Sequence, residues 1–350
     1  MNYALYEFPP ETSELVQLLK QQDWIVHAFK TDKVEDFFTP ADLAYNVDYN
    51  GVEYELILDT NIYQFLLNSQ KKPPTEFSRA AVALLAFCQL TSIEIDPVFA
   101  VYEKISYQKE RAPQQVDDLL LFYQIDRTCD PNLAKYAFGE VENYQAGTPV
   151  ERDRNALISG LTQYRRLKEW DSMYLNVLAC IHYYLRKDLT NNQKIEHFYL
   201  WMVKSFRRSL VCLVFGSVLF SSSPLKKMMK YRTSSSPAQK KQQVVNMAWD
   251  LYIMNMFFRK SISRESHIEF AYATADKAFR ELLQLSIDVQ IAGGPSPLKN
   301  VLNKSDYEHI CRVWEIDARE EERVYESAKW TSEYRAELIL EFESGIIGGA

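Results

Sequence analysis

Four acidic residues could do chemistry together because each lies on a predicted strand–helix unit. Asp59 and Asp276 follow predicted strands, whereas Glu103 and Asp250 lie within predicted helices that can face the same sheet edge. If the strands are parallel and adjacent, the four carboxylates converge at the carboxyl ends of the strands, where ligands of such sheets bind. A cluster of like charges without a cation is strongly destabilising, and oxygen ligands of this kind suit Mg²⁺ or Mn²⁺. The pattern therefore predicts a divalent metal site.

The elements that must position these residues are clearest around Asp59. Residues 56–58 form a continuous apolar run, typical of a strand that is covered on both faces in a parallel sheet. Small polar residues follow, and residues 62–67 are then apolar at helical spacing. The sequence therefore predicts an α/β fold in which Asp59 stands at the end of a central strand.

The remaining elements follow from the same patterns. Further strands are predicted at residues 24–29, 92–96, 269–273 and 287–291. Helices are predicted at residues 11–20, from Thr39-Pro40 onward, at 76–89, 98–107, 167–185, 194–214 and 242–258, and in the tail from residue 304. Most of residues 112–219 is helical in pattern.

Composition limits the class of protein. Apolar residues make up 47% and charged residues 25% of the 350 residues, which is ordinary globular usage, and the net charge of −7 gives no overall basic signal. The five cysteines are dispersed, which favours reduced thiols in a cytoplasmic protein. The amino terminus lacks the pattern of a signal peptide, and the longest apolar segment, 210–220, is roughly half of the ~20 residues that a membrane helix needs. No membrane association is expected.

Positive charge is concentrated in one part of this acidic chain. No acidic residue occurs between Glu196 and Asp250, and a serine-rich loop that is expected to be exposed lies within this stretch. The loop and its flank carry Lys226, Lys227, Lys230, Arg232, Lys240 and Lys241. Two interpretations compete. The charges either belong to a solvated loop without a binding role, or they form a surface that binds nucleic-acid phosphates.

Four segments together resemble the PIN-domain nucleases, in matching order and context: residues 57–61, 95–103, 248–254 and 270–279. The resemblance implies a three-layer α/β/α fold with a central parallel sheet. It also implies that one or two divalent ions are bound by Asp59, Glu103, Asp250 and Asp276, with hydrogen-bonding support from Thr60, Asn61 and Thr274. The activity that it implies is metal-dependent endonucleolytic cleavage, with RNA, single-stranded above all, favoured over DNA.

This chain is longer than most PIN nucleases, which predicts added segments. The expected organisation is an accessory segment (1–50), a first part of the core (51–110), a helical insertion with the basic loop (111–239), a second part of the core (240–295) and a helical tail (296–350). An insertion of this size is typical of regulation by a protein partner or of homo-oligomer formation.

The sequence also allows other interpretations of the acidic residues and of the function. Asp59 and Asp276 could be plain helix caps, and Glu103 could be a surface residue. A PIN-like module that binds nucleic acid or assembles with little catalysis is the second functional hypothesis. A haloacid-dehalogenase-like phosphatase ranks last, because that family needs an aspartate where Asn61 stands. No Walker or Rossmann glycine-rich loop is present, so ATP or NAD use is not indicated.

Overall fold

The computed structural model describes residues 6–29, 36–163, 169–222, 224–225, 228–262, 267–319 and 323–348. The chain divides into two compact units. The first unit comprises Met1–Arg165 and Arg259–Arg280, and the second comprises Arg166–Phe258 and Glu281–Ala350. Within the described ranges, no helix combines the length and the apolar character that a membrane-spanning segment needs.

The first unit contains a small sheet and most of the helices that precede residue 165. Its strands are β1 (Ile25–His27), β2 (Glu53–Leu58), β3 (Ile93–Asp96) and β4 (Ile268–Ala273). Its helices are α1 (Thr12–Gln22), α2 (Pro40–Asn50), α3 (Thr60–Lys71), α4 (Glu76–Leu90), α5 (Val98–Ile105), α6 (Ala112–Asp126), α7 (Asp130–Ala137) and α8 (Arg154–Gln163). A short 3-10 helix spans Lys109–Arg111.

The strands are ordered β1-β4-β2-β3. Strand β2 pairs in parallel with both β3 and β4, as the apolar runs predicted, whereas β1 pairs antiparallel with β4. The predicted parallel sheet is therefore confirmed for β2, β3 and β4 but not for β1, and the α/β sheet is mixed. The physical reason is that β1 is an edge strand of three residues, whose direction is set by hydrogen bonds to β4 rather than by its own sequence.

The core of the first unit lies on one face of β2. Leu56 and Leu58 point into it and are fully buried together with apolar side chains of α1, α3, α4 and α6, for example Leu15, Leu66 and Phe122. Alternate residues point to opposite faces of a strand, so Glu55 and Ile57 face the other side. Burial on both faces explains why residues 56–58 are all apolar.

The second unit is helical. It contains α9 (Trp170–Leu185), α10 (Asn191–Leu200), α11 (Leu210–Leu219), α14 (Lys304–Arg319) and α15 (Ser332–Ile346), with a π-helical turn at Trp201–Ser205 and 3-10 helices at Ser296–Asn300 and Val324–Glu326. Helices α12 (Pro237–Ile262) and α13 (Lys277–Ile291) contribute residues to both units. Its core is aromatic: the rings of Trp170 and Trp249 lie 5.9 Å apart, and both are buried.

Two predicted elements differ from the structure. Residues 287–291 were predicted as a strand but form the last turns of α13, because that helix continues without a break from its start at Lys277. The predicted helix at 194–214 is divided in two. Its second part, α11, begins anew after Ser209, whose hydroxyl accepts a hydrogen bond from the N–H of Cys212 at 3.4 Å and so caps the helix.

Candidate active site

Two parallel strands bring Asp59 and Thr274 side by side at their carboxyl ends. Leu58 of β2 lies opposite Ala273 of β4, and the N–H of Asp59 donates to the carbonyl oxygen of Ala273 at 2.9 Å. Asp59 and Thr274, which follow Leu58 and Ala273, therefore leave the sheet at the same level. This adjacency could not be read from the sequence, because well over 200 positions separate the two residues.

The carboxylate of Asp59 is held by three donors. Its Oδ1 accepts from the N–H of Thr60 at 2.7 Å, which caps α3. Its Oδ2 accepts from the hydroxyl of Thr274 at 2.6 Å and from the amide of Asn61. These are the supporting hydrogen bonds that the resemblance implied for Thr60, Asn61 and Thr274. The side chain of Asp59 is therefore fixed in one orientation.

The hydroxyl of Thr274 connects Asp59 to Asp276. While it donates to Asp59, it accepts from the N–H of Asp276 at 3.0 Å. The Oδ1 of Asp276 accepts from the N–H groups of Ala278 and Phe279 at 3.0 and 3.1 Å and so caps the start of α13. Both capping bonds use Oδ1, so Oδ2 of Asp276 accepts no hydrogen bond from any residue that the structure describes.

Glu103 reaches the same edge of the sheet from α5. Strand β3 ends at Asp96, and α5 follows directly, which places Glu103 on its second turn. The hydroxyl of Thr60 donates to Oε2 of Glu103. Because the N–H of the same Thr60 donates to Asp59, one residue joins the two carboxyl groups. The first unit therefore brings together Asp59, Asp276 and Glu103.

Electrostatics distinguish Asp59 from the neighbouring carboxylates. Burial raises the pKa of Asp59, whose exposed fraction is 9%, and the charge of Asp276 raises it further, whereas the hydrogen bonds from Thr274, Thr60 and Asn61 lower it. The net shift is upward. Among the residues that the structure describes, none of the basic side chains forms an ion pair with Asp59.

Asp96 also ends a parallel strand, and a lysine lies close to its carboxylate. The Nζ of Lys260 lies 3.5 Å from Oδ2 of Asp96 and 2.6 Å from Oε1 of Glu55. The same ammonium group lies 5.1 Å from the ring centroid of Phe270 and 5.7 Å from that of Phe99. One lysine therefore lies close to two carboxylates here, whereas no basic side chain in the described part of the chain forms an ion pair with Asp59.

A divalent cation fits the pair Asp59 and Asp276. In the described part of the chain, no three histidine, cysteine, aspartate or glutamate side chains lie close enough to hold one ion together. Mg²⁺ does not require such a cage, because it generally keeps several waters and binds through one or two carboxylates plus substrate phosphates. Among the described residues, Oδ2 of Asp276 accepts no hydrogen bond and the buried carboxylate of Asp59 has hydrogen-bond donors but no ion-pair partner, so the pair meets that requirement.

Asp250 belongs to the second unit. Its Oδ2 accepts from Nζ of Lys230 at 2.5 Å, an ion pair in which both side chains are partly exposed. Lys230 was predicted to contact nucleic acid, and this pair offsets part of its charge.

The other predicted basic residues have different surroundings. Lys226 and Lys227 lie outside the described residues. Arg232 is exposed, and Nζ of Lys241 lies 3.9 Å from Oε1 of Glu343, while Lys240 is half-buried. Two described residues of this predicted exposed loop, Met228 and Tyr231, are buried, and the hydroxyl of Tyr231 donates to the carbonyl oxygen of Ile346 at 2.6 Å.

Two residues near the sheet edge, Trp24 and Lys260, were not among the site residues that the sequence predicted. The carbonyl oxygen of Trp24 accepts from the N–H of Thr274 at 2.9 Å, which holds the end of β4 from its other side. Lys260 contacts Glu55 and Asp96 as described above. One signal for Lys260 was present, since Glu55 directly precedes the apolar run of β2, where a partly buried carboxylate favours a cation nearby.

The raised pKa of Asp59 predicts how pH affects the metal-free protein. A carboxyl group whose pKa is higher in the folded than in the unfolded state contributes stability at low pH, and this contribution is lost as pH rises from the unfolded value, about 3.9, through the folded value. Asp59→Asn cannot ionise. We therefore expect the melting temperature of Asp59→Asn minus that of the wild type, in EDTA, to increase between about pH 4 and pH 7.

Circular dichroism melts across this pH range measure the difference. Asp118→Asn, at a carboxylate whose pKa is lowered by Lys71 and Lys104 despite its burial, is the control and should not show this increase. A difference between Asp59→Asn and the wild type that is constant with pH would contradict the assigned burial effect.

Comparisons with protein-family models, with curated proteins and with solved structures found no match.

Proposed function

We propose that the first unit has a PIN-like fold and that its site hydrolyses phosphodiester bonds of single-stranded RNA with Mg²⁺ or Mn²⁺. The observation that carries the proposal is the pairing of Asp59 with Asp276 through the hydroxyl of Thr274, at the ends of adjacent parallel strands. Three of the four segments that resemble PIN-domain nucleases, 57–61, 95–103 and 270–279, belong to this unit.

Each residue has a distinct role in the proposed reaction. Asp59 and Asp276 would hold the cation, while Thr274 and Asn61 keep Asp59 in one orientation. Glu103, joined to the pair through Thr60, would complete the site through a water bound to the ion or hold a second ion. A bound divalent ion supplies an activated water and stabilises charge on the leaving 3′ oxygen.

Only the resemblance to PIN-domain nucleases supports the proposed role of Asp250 as a metal ligand. Its ion pair with Lys230 offsets its charge without a metal, so its carboxylate does not require a cation as that of Asp59 does. Arg232 and Lys241 are the described basic residues of the loop region that are exposed enough to contact a phosphate backbone.

The proposal is tested by incubating the purified chain with end-labelled RNA and DNA oligonucleotides of the same sequence. We expect cleavage of the RNA with Mg²⁺ or Mn²⁺ and none in EDTA. Because water is the nucleophile and the 3′ oxygen leaves, the products should carry 5′-phosphate and 3′-hydroxyl ends. Cyclic phosphate ends or cleavage in EDTA would identify a contaminating ribonuclease, and intact RNA under all conditions would contradict the proposal.

One observation favours the alternative, a PIN-like module that binds nucleic acid or assembles with little catalysis. The charge of Asp59 is already met by three hydrogen bonds, and Glu103 accepts one from Thr60, so these groups are partly satisfied without an ion. Calorimetric titration with Mn²⁺ separates the two hypotheses. Binding that is lost in Asp276→Asn supports the metal site, whereas no binding by the wild type supports the module.

A further inference from the structure

An aromatic cluster in the first unit is connected to the candidate site through Trp24 and α3. The rings of Phe65 and Phe77 are stacked, with centroids 5.1 Å apart and planes inclined by 14°. The ring of Trp24 lies 6.0 Å from Phe65 and 6.5 Å from Phe77. Trp24 is buried and Phe65 is half-buried, but Phe77, at the start of α4, is 49% exposed. The cluster therefore has a buried base and one ring that meets solvent.

Two hydrogen bonds, one between backbone groups and one between side chains, connect this cluster to the carboxylate of Asp59. The carbonyl oxygen of Trp24 accepts from the N–H of Thr274, whose hydroxyl donates to Asp59. Phe65 lies on α3, the helix that Asp59 caps. The ring of Phe77 therefore packs on two residues, Trp24 and Phe65, of which one bonds to the end of β4 through its backbone and the other lies on the helix that Asp59 begins.

An exposed phenylalanine that packs on two further aromatic rings matches one kind of ligand. The flat faces of nucleobases stack on aromatic rings, and this contact is the usual way in which proteins hold unpaired bases regardless of sequence. Near-parallel packing on Phe65 fixes the ring of Phe77, so little side-chain freedom would be lost on binding. A base in a duplex is already stacked on its neighbours and cannot use such a ring.

We infer that Phe77, supported by Phe65 and Trp24, stacks on an unpaired nucleobase next to the phosphate that is cleaved. This inference rests on the proposed nuclease function and adds to it the recognition of single-stranded substrate by stacking. Phe77 acts as a binding residue, and its ring has no part in the bond-breaking step.

The test measures the affinity for a fluorescently labelled single-stranded oligonucleotide by anisotropy, in EDTA so that the RNA stays intact. We expect Phe77→Leu to weaken binding about tenfold, since stacking contributes roughly 1–3 kcal/mol per base. Phe77→Trp should keep the affinity and show quenched tryptophan emission on binding. The slope of affinity against salt concentration should be unchanged in Phe77→Leu, because no phosphate contact is removed.

The chain offers a matched control. Tyr49 is also exposed, at 59%, and stacks on Tyr45 with centroids 4.9 Å apart, but it precedes the amino end of β2, opposite the edge that holds Asp59. Tyr49→Leu should bind like the wild type. An oligonucleotide of abasic nucleotides should bind the wild type and Phe77→Leu equally, and a duplex of the same sequence should bind more weakly than the single strand.

The outcomes separate this inference from the function on which it rests. If the wild type cleaves RNA with Mn²⁺ and Phe77→Leu binds the single strand with unchanged affinity, only the stacking role is overturned. An equal loss with the abasic oligonucleotide also overturns it, since the effect would then not concern bases. If the wild type binds no nucleic acid, the inference fails together with the proposed function.

Discussion

Asp59→Asn is expected to lower metal-dependent RNA cleavage by a factor of roughly a thousand while the protein stays folded. The variant keeps the shape of the side chain, and asparagine is as good a helix cap as aspartate, so the bond from the N–H of Thr60 can persist. What disappears is the negative charge that would hold the cation. The measurement is single-turnover cleavage of the labelled RNA at saturating Mn²⁺.

Neighbouring substitutions should give a graded series. Thr274→Val removes the hydroxyl that orients Asp59 and should lower cleavage about 10- to 100-fold, the range found when groups that orient metal ligands are removed, whereas Thr274→Ser keeps the hydroxyl and should remain close to the wild type. Asp96→Asn, at the end of the neighbouring strand but paired with Lys260, should cleave normally. Equal activity of Asp59→Asn and Asp96→Asn would refute the assignment of Asp59.

Gly147→Ala is expected to destabilise the first unit by up to about 3 kcal/mol, which lowers the melting temperature by up to roughly 10 °C. A Cβ atom at residue 147 would lie 2.6 Å from the carbonyl carbon of Arg127 and 2.9 Å from the carbonyl oxygen of Gln124. Both are backbone atoms at the end of α6, so they cannot move aside as a flexible side chain would. The N–H of Gly147 donates to the carbonyl oxygen of Gln124 at 3.0 Å, and this bond holds the two segments together.

The matched control for this prediction is Gly160→Ala in α8. A Cβ atom there would meet nothing within 4 Å, and alanine favours a helix over glycine by up to about 1 kcal/mol. Thermal unfolding followed by circular dichroism compares the two variants. Gly160→Ala should melt at or above the wild type, and an unchanged melting temperature for Gly147→Ala would show that α6 can shift at little cost.

Local sequence determined the elements around the site and the chemistry of its residues. The apolar run before Asp59 predicted β2, and the helix after it, α3, followed from apolar spacing. The carboxylates of Asp59 and Asp276 were predicted either as metal ligands or as helix caps, and the capping bonds of both are present. These features depend on residues within a few positions of one another, which is why sequence patterns contain them.

Only the tertiary structure decided which distant segments meet. It placed β4 beside β2, so that Thr274 could bridge Asp59 and Asp276, and it turned β1 antiparallel. It also placed Lys260 beside Asp96, whereas no basic side chain of the described residues pairs with Asp59. The physical reason is that strand pairing and charge pairing depend on distances in space between segments far apart in the chain. The sequence by itself determined that carboxylates would end the strands, and the packing of the strands decided which of them share a site.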